Sequence, residues 1–251
     1  MTRRESGGGV GFSFAGPDGS RRAGVSTPGT TRQALAGLAA LAVVLWLALF
    51  LTAGSLAFWQ AWAYWLVFMA SVTAISVYFL KKDATLIESR LKVGPGVEEE
   101  RGQKLAQVLL PLFFVLLIIV PSLDHRFRWS GVPDYLAVLG DVFVAVGLAI
   151  IFLVFMENGF ASAAIEVNEG QRVISTGPYG VVRHPMYAGA LVMLLFTPIA
   201  LGSLWGLLPF LGMFAVIALR IRGEERFLVK SLSGYGEYRR KVRHRLIPFL
   251  W

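Results

Sequence analysis

Two polar clusters interrupt an otherwise apolar chain. The first is Gly177-Pro178-Tyr179, followed by Arg183-His184-Pro185-Met186-Tyr187, which runs directly into a hydrophobic stretch. Proline suits the first position of a helix, where its missing N–H is not needed. The residue before it is driven toward extended backbone. The pattern predicts a helix beginning at Pro185, with His184 at its mouth and Tyr187 about one turn inside. The unpaired N–H groups and partial positive charge of such a terminus suit a carboxylate or a phosphate. The structural alternative is a membrane anchor, with Arg183 and His184 among headgroups and the tyrosines in an aromatic belt.

The second cluster is Arg220-Ile221-Arg222-Gly223-Glu224-Glu225-Arg226. Arg220 and Glu224 are one helical turn apart and share a face, so they could pair. Ionisable groups near a membrane boundary usually have a partner or a function. Gly234-Tyr235-Gly236-Glu237-Tyr238 and a basic tail, Arg239 to Pro248, follow.

The elements that must position these clusters are membrane helices. Hydrophobic residues make up 55% of the 251 and charged residues only 16%, against about 25% charge in soluble domains. Mean hydropathy is +0.61. Apolar runs near the length needed to cross a bilayer lie at 34–53, 58–80, 105–123 and 135–156. The run 186–219 is too long for one span and breaks at Thr197-Pro198 and Gly202-Ser203, which reads as a hairpin of two spans. The expected fold is all-α: a polytopic membrane bundle of about six helices with a C-terminal helical tail on the cytoplasmic side. Residues 1–31, rich in Gly, Ser, Pro and Arg, read as a disordered basic segment. Residues 32–251 form one membrane domain, whose motifs fall in 157–251. Between the second and third spans, Thr85 and Glu88 have capping-box spacing for a short interfacial helix. The acidic run 98–100 lies ahead of the next helix, where its dipole favours negative charge.

Charge sets the expected topology. Of 24 Lys and Arg, only Arg126 and Arg128 fall in outer loops when the N-terminus is placed inside. Both polar clusters and both termini then face the cytoplasm, and the clusters must be close in space. The +8 net charge is spread over several loops, which argues for anionic headgroups and against nucleic acid. Cysteine is absent, and with His125 in an outer loop and His244 in the basic tail, these two and His184 are not expected to form a metal site.

At these residues the chain resembles the isoprenylcysteine carboxyl methyltransferases and their bacterial relatives. The resemblance rests on Gly177-Pro178-Tyr179, Arg183-His184-Pro185 with Tyr187, the Glu224-Glu225 pair, a Gly-Tyr…Tyr segment and the closing Arg245-Leu246-Ile247-Pro248. Glu157-Asn158 and Gly170 to Ile174 are similar to the bacterial branch. The resemblance implies an S-adenosylmethionine (SAM) cofactor in a pocket between the last two helices and the tail. Gln171, Arg172, Val173, Ile174, Tyr179, His184, Pro185, Met186 and Tyr187 would line it. Glu224 or Glu225 would meet polar atoms of the donor, and Arg220 or Arg222 would face the acceptor, with Arg220 and Glu224 taken as catalytic.

The implied acceptor is a lipophilic or lipidated molecule bearing a carboxylate, reached from the bilayer. A carboxylate is already ionised at neutral pH, so its methylation needs alignment and desolvation rather than a base. Three alternatives stand beside this reading. A phospholipid N-methyltransferase would need a base such as Glu225 or Tyr187. A nicotinamide-dependent membrane reductase shares the setting. A transporter would place polar groups at the bilayer midplane, where only Asp141 comes close.

Overall fold

The computed structural model describes residues 28–82, 101–158, 173–248 and 251. The predicted interfacial helix at 85–91, the acidic run 98–100, and Gln171 and Arg172 lie outside the described residues, as does most of the basic N-terminal segment.

Seven α-helices and one 3₁₀ turn make up the described chain. They are α1 (Pro28–Ala53), α2 (Trp59–Lys82), α3 (Arg101–Phe127) and α4 (Asp134–Glu157). After the 3₁₀ turn Gly177–Gly180 come α5 (Pro185–Ala200), α6 (Leu207–Ser231) and α7 (Tyr235–Lys241). Helix α1 already includes 28–31, at the end of the stretch expected to lack structure. The first four helices are long and apolar enough to cross a membrane. Their outer faces carry exposed large apolar side chains, among them Val44, Leu51, Leu66, Val108 and Val142, as an integral membrane protein requires.

The long run after Met186 is divided into two helices, as expected, but Pro198 does not make the break. It lies within α5, two residues before its end, where the helix continues through it. Thr197 O and Pro198 O accept from the N–H groups of Leu201 (3.0 Å) and Ser203 (2.9 Å) in the turn that follows. The reversal falls at Gly202, whose φ of +73° is left-handed. Helix α5 has 16 residues, about 24 Å at 1.5 Å each, short of a hydrocarbon core of about 30 Å. Helix α6 is apolar only in its first half and continues as the Arg220–Arg226 cluster.

Close helix approach fixes where α5 begins. A Cβ at Gly147 of α4 would fall 2.6 Å from Gly189 O and Met193 N of α5. A Cβ at Gly140 would fall 2.5 Å from Ala200 N. Lipid supplies no hydrophobic drive between helices, so small residues that let backbones touch are a principal device for joining them. Helix α6 packs through Phe210, Met213, Ile217 and Ile221 against Leu117 of α3 and Leu191 and Leu194 of α5.

At one end of the bundle, buried Asp124 joins two loops. Ser130 N and Ser130 Oγ donate to it at 2.7 and 2.5 Å, and the Ser203 hydroxyl donates from the α5–α6 turn. The Arg183–Glu225 cluster occupies the other end.

Candidate active site

The buried face of α6 explains the site's strongest feature. Met213, Ile217, Ile221 and Glu225 are spaced by four and all are buried, so they form one stripe along the helix. The last position of that apolar stripe is a carboxylate. A buried charge must be paired and hydrogen-bonded, and Glu225 is met from two other segments. Arg183 Nε donates to Oε1 at 2.7 Å and Arg245 Nε to Oε2 at 2.9 Å. His184 Nε2 lies 3.5 Å from Oε1. Burial alone would push this carboxyl up, but the neighbouring His184, Arg183 and Arg245 outweigh it and hold it at about 2.

Arg183 also donates through one terminal nitrogen to the carbonyls of Val242 (2.8 Å) and Arg243 (2.7 Å). The backbone continues the junction, since Arg183 N and His184 N donate to His244 O and Arg245 O, each at 2.9 Å. The C-terminal tail is therefore laid along the start of α5 and pinned to α6. Pro185 is the first residue of α5, as expected, and His184 caps it at φ −122°. Its ψ of 61° stops short of the extended region, because His184 O must already accept from Ala188 N at 3.0 Å.

A second constellation lies one turn along both helices. Arg220 Nε donates to the Tyr187 hydroxyl at 3.0 Å, and that hydroxyl donates to Glu224 Oε2 at 3.0 Å. The sequence places Arg220 and Glu224 on one face of α6; Tyr187 of α5 bridges them. Arg220 is buried, whereas Arg222 points out and is exposed. Glu224 is half-buried, and the Tyr187 bond is its only hydrogen bond among the described residues.

The other expected donor-lining residues are spread more widely. Tyr179, in the 3₁₀ turn, accepts from Asn158 Nδ2 on its hydroxyl and from the Tyr238 hydroxyl on its carbonyl, both at 2.8 Å. Gly177 opens that turn at φ +53° beside Glu157, whose carboxylate accepts from the Thr176 hydroxyl. Val173 packs on the small cluster of Leu232, Tyr235, Tyr238 and Val242. Ile174 and Met186 are half-buried. Within this layer the Tyr235 hydroxyl is buried without a hydrogen-bond partner among the described residues, and burial raises its ionisation far above neutral pH.

Arg183 and Arg245 are absent from the donor-lining set the resemblance implies, yet they organise the site. Their signal was available in the four-residue stripe that ends at Glu225, since a charge on a core face demands cations from elsewhere. Asp124 was missed for want of any local pattern.

Residues 135–234 match the family model described as phospholipid methyltransferase. The match covers 100 of the 251 residues. It runs from α4 through α6 and takes in Tyr179, His184, Tyr187, Arg220, Glu224 and Glu225, but stops before Arg245 and Trp251. It carries the phospholipid name rather than the isoprenylcysteine one. A curated relative, Delta(14)-sterol reductase TM7SF2 of Mus musculus, is 35% identical over 86 residues, which is 33% of this chain and 20% of that protein. The chain thus spans about a fifth of the length of the relative it matches.

Proposed function

We propose that the protein is a SAM-dependent methyltransferase acting on a lipophilic acceptor, with its site on the cytoplasmic side of the membrane. The observation that carries this reading is the Tyr187–Glu224–Arg220 constellation at the mouth of α5, within the matched segment. When bound, SAM supplies an electrophilic methyl group. The residues suit such a donor. Glu224 is half-buried and lightly engaged, so it can face an ammonium or sulfonium group. His184 is buried beside Glu225, with Nε2 3.5 Å from Oε1, so its ring belongs to the same wall. Glu225 is read as the anchor that holds this wall in place, since both of its oxygens are already taken.

Arg220 decides how an acceptor is presented. Its guanidinium stays protonated and can orient a carboxylate without protonating it. The bundle would admit the apolar part of the acceptor from the bilayer, and the buried wall would exclude water from the nucleophile.

A second reading is favoured by the Tyr187–Glu224 hydrogen bond and by the name of the matching family. An amine acceptor must lose a proton, and Tyr187 with Glu224 forms a path that can accept it. Calorimetry of the purified protein with SAM and with its demethylated product tests the donor; a folded protein that binds neither overturns the proposal. Methyl-labelled SAM offered with a prenylcysteine analogue and, separately, with phosphatidylethanolamine then separates carboxylate from amine transfer. Arg220→Ala should reduce acceptor turnover more than donor binding, and equal loss of both contradicts its role.

A further inference from the structure

Behind the Glu225 anchor, on the side of the tail, is an open cavity of about 590 Å³ whose wall is mostly arginine. Arg183 and Arg245 form its inner side and are bound to Glu225. Arg239, Arg240 and Arg243 line it too, beside Val229, Gly236, His244 and Trp251; these three arginines are exposed and make no ion pair among the described residues. Among the described residues no carboxylate side chain lines it. Five guanidinium groups therefore line one cavity, with the Glu225 carboxylate behind two of them.

A helix end does not account for this cluster. Arg239 and Arg240 lie in the last turn of α7, where the dipole favours cations, but Arg243 and Arg245 come after the helix. The wall is also built without a ligand. Trp251 O accepts from the N–H groups of Arg245 (2.9 Å), Leu246 (2.9 Å) and Ile247 (3.1 Å), closing the tail into a loop. The Arg245 guanidinium lies 5.5 Å from the centre of the Trp251 ring. Gly236 leaves the opposite side open, with nothing within 4 Å of where a Cβ would be.

We propose that this cavity binds a phosphate-bearing anion, distinct from the methyl donor. The volume falls in the range of small-molecule sites, roughly 300–1,000 Å³. Arginine forks match phosphate oxygens in pairs, giving charge-assisted hydrogen bonds. SAM is a net cation at neutral pH and is disfavoured by the same wall. The phosphate can come from an anionic lipid headgroup at the membrane surface or from a soluble phosphate ester. Either occupant places negative charge against Arg183 and Arg245, and so next to the anchor of the active-site wall.

The test uses the full chain. Binding of inorganic pyrophosphate is measured by calorimetry in neutral detergent. The effect of lipid is measured as thermal stability in phosphatidylcholine nanodiscs with and without phosphatidylglycerol. In the triple variant R239Q/R240Q/R243Q, binding or lipid stabilisation should weaken about tenfold or more, and in R222Q/R226Q/K230Q, exposed on α6, by less than about twofold. Added salt should weaken the wild-type interaction. Lysines at the same three positions should recover much of it, which keeps the test valid if the glutamine variant unfolds. Pyrophosphate binding without a phosphatidylglycerol effect supports a soluble ligand, and the reverse supports a headgroup. No response to either probe, or equal weakening in the α6 variant, overturns the proposal.

Discussion

The Glu225 cluster and the Tyr187–Glu224–Arg220 cluster are built on the same two helices, from carboxylates adjacent in the chain. Glu225 falls on the core stripe of α6 and is saturated, with an arginine on each oxygen and a histidine nearby. Glu224 is turned about 100° away by the helix, is half-buried, and holds one hydroxyl. A saturated carboxylate stabilises structure and has nothing left for a ligand. A lightly engaged one contributes less to the fold and remains available for chemistry. The pair shows that a Glu-Glu motif need not contain two equivalent residues.

The sharpest way to break this contrast is to remove the charge from Glu225. Glu225→Gln leaves Arg183 buried without its counter-ion, and should cost about 3–5 kcal/mol of stability. A lowered melting temperature in detergent is the readout; an unchanged one contradicts the anchor.

Acid should reproduce much of that loss. The folded Glu225 titrates at about 2, below its ordinary value of 4.5. Its stabilisation is therefore complete above about pH 4.5 and fades as pH falls toward 2, amounting to about 3 kcal/mol. Acid unfolding of Glu225→Gln should lack this component.

Glu224→Gln should do the opposite of Glu225→Gln. Methyl transfer from SAM should fall by about 100-fold, while the melting temperature stays nearly constant. Equal destabilisation by the two glutamines would erase the distinction. The smallest effect belongs to Arg222→Ala, which removes an exposed side chain and should change stability by less than about 0.5 kcal/mol. A large loss of stability there would contradict the exposed position of Arg222.

Much of the architecture was legible because lipid leaves few choices. The four long spans, the start of α5 at Pro185 and the hairpin after it follow from apolar length and from Pro and Gly chemistry. The closeness of the two polar clusters followed from placing both at one end of a short hairpin, and the Arg183–Glu225 and Tyr187–Glu224 bonds bear it out. Pro198 was misread as a break because a proline near a helix end removes only one ladder bond, and the helix runs on to Ala200. Val173, grouped with the donor-lining residues through family resemblance, packs on the α7 layer, a contact that no local pattern announces.

What the sequence determined by itself was the solvent, the helices and the residue types that meet at one end, since each depends on local composition and spacing. Tertiary structure decided their division of labour. Arg245 lies 20 residues after Glu225 and Arg183 lies 42 before it, so no local pattern joins them. The glycine contacts between α4 and α5, the packing of α6 and the fold-back of the tail together determine which glutamate is enclosed by cations. Burial then makes that pairing obligatory.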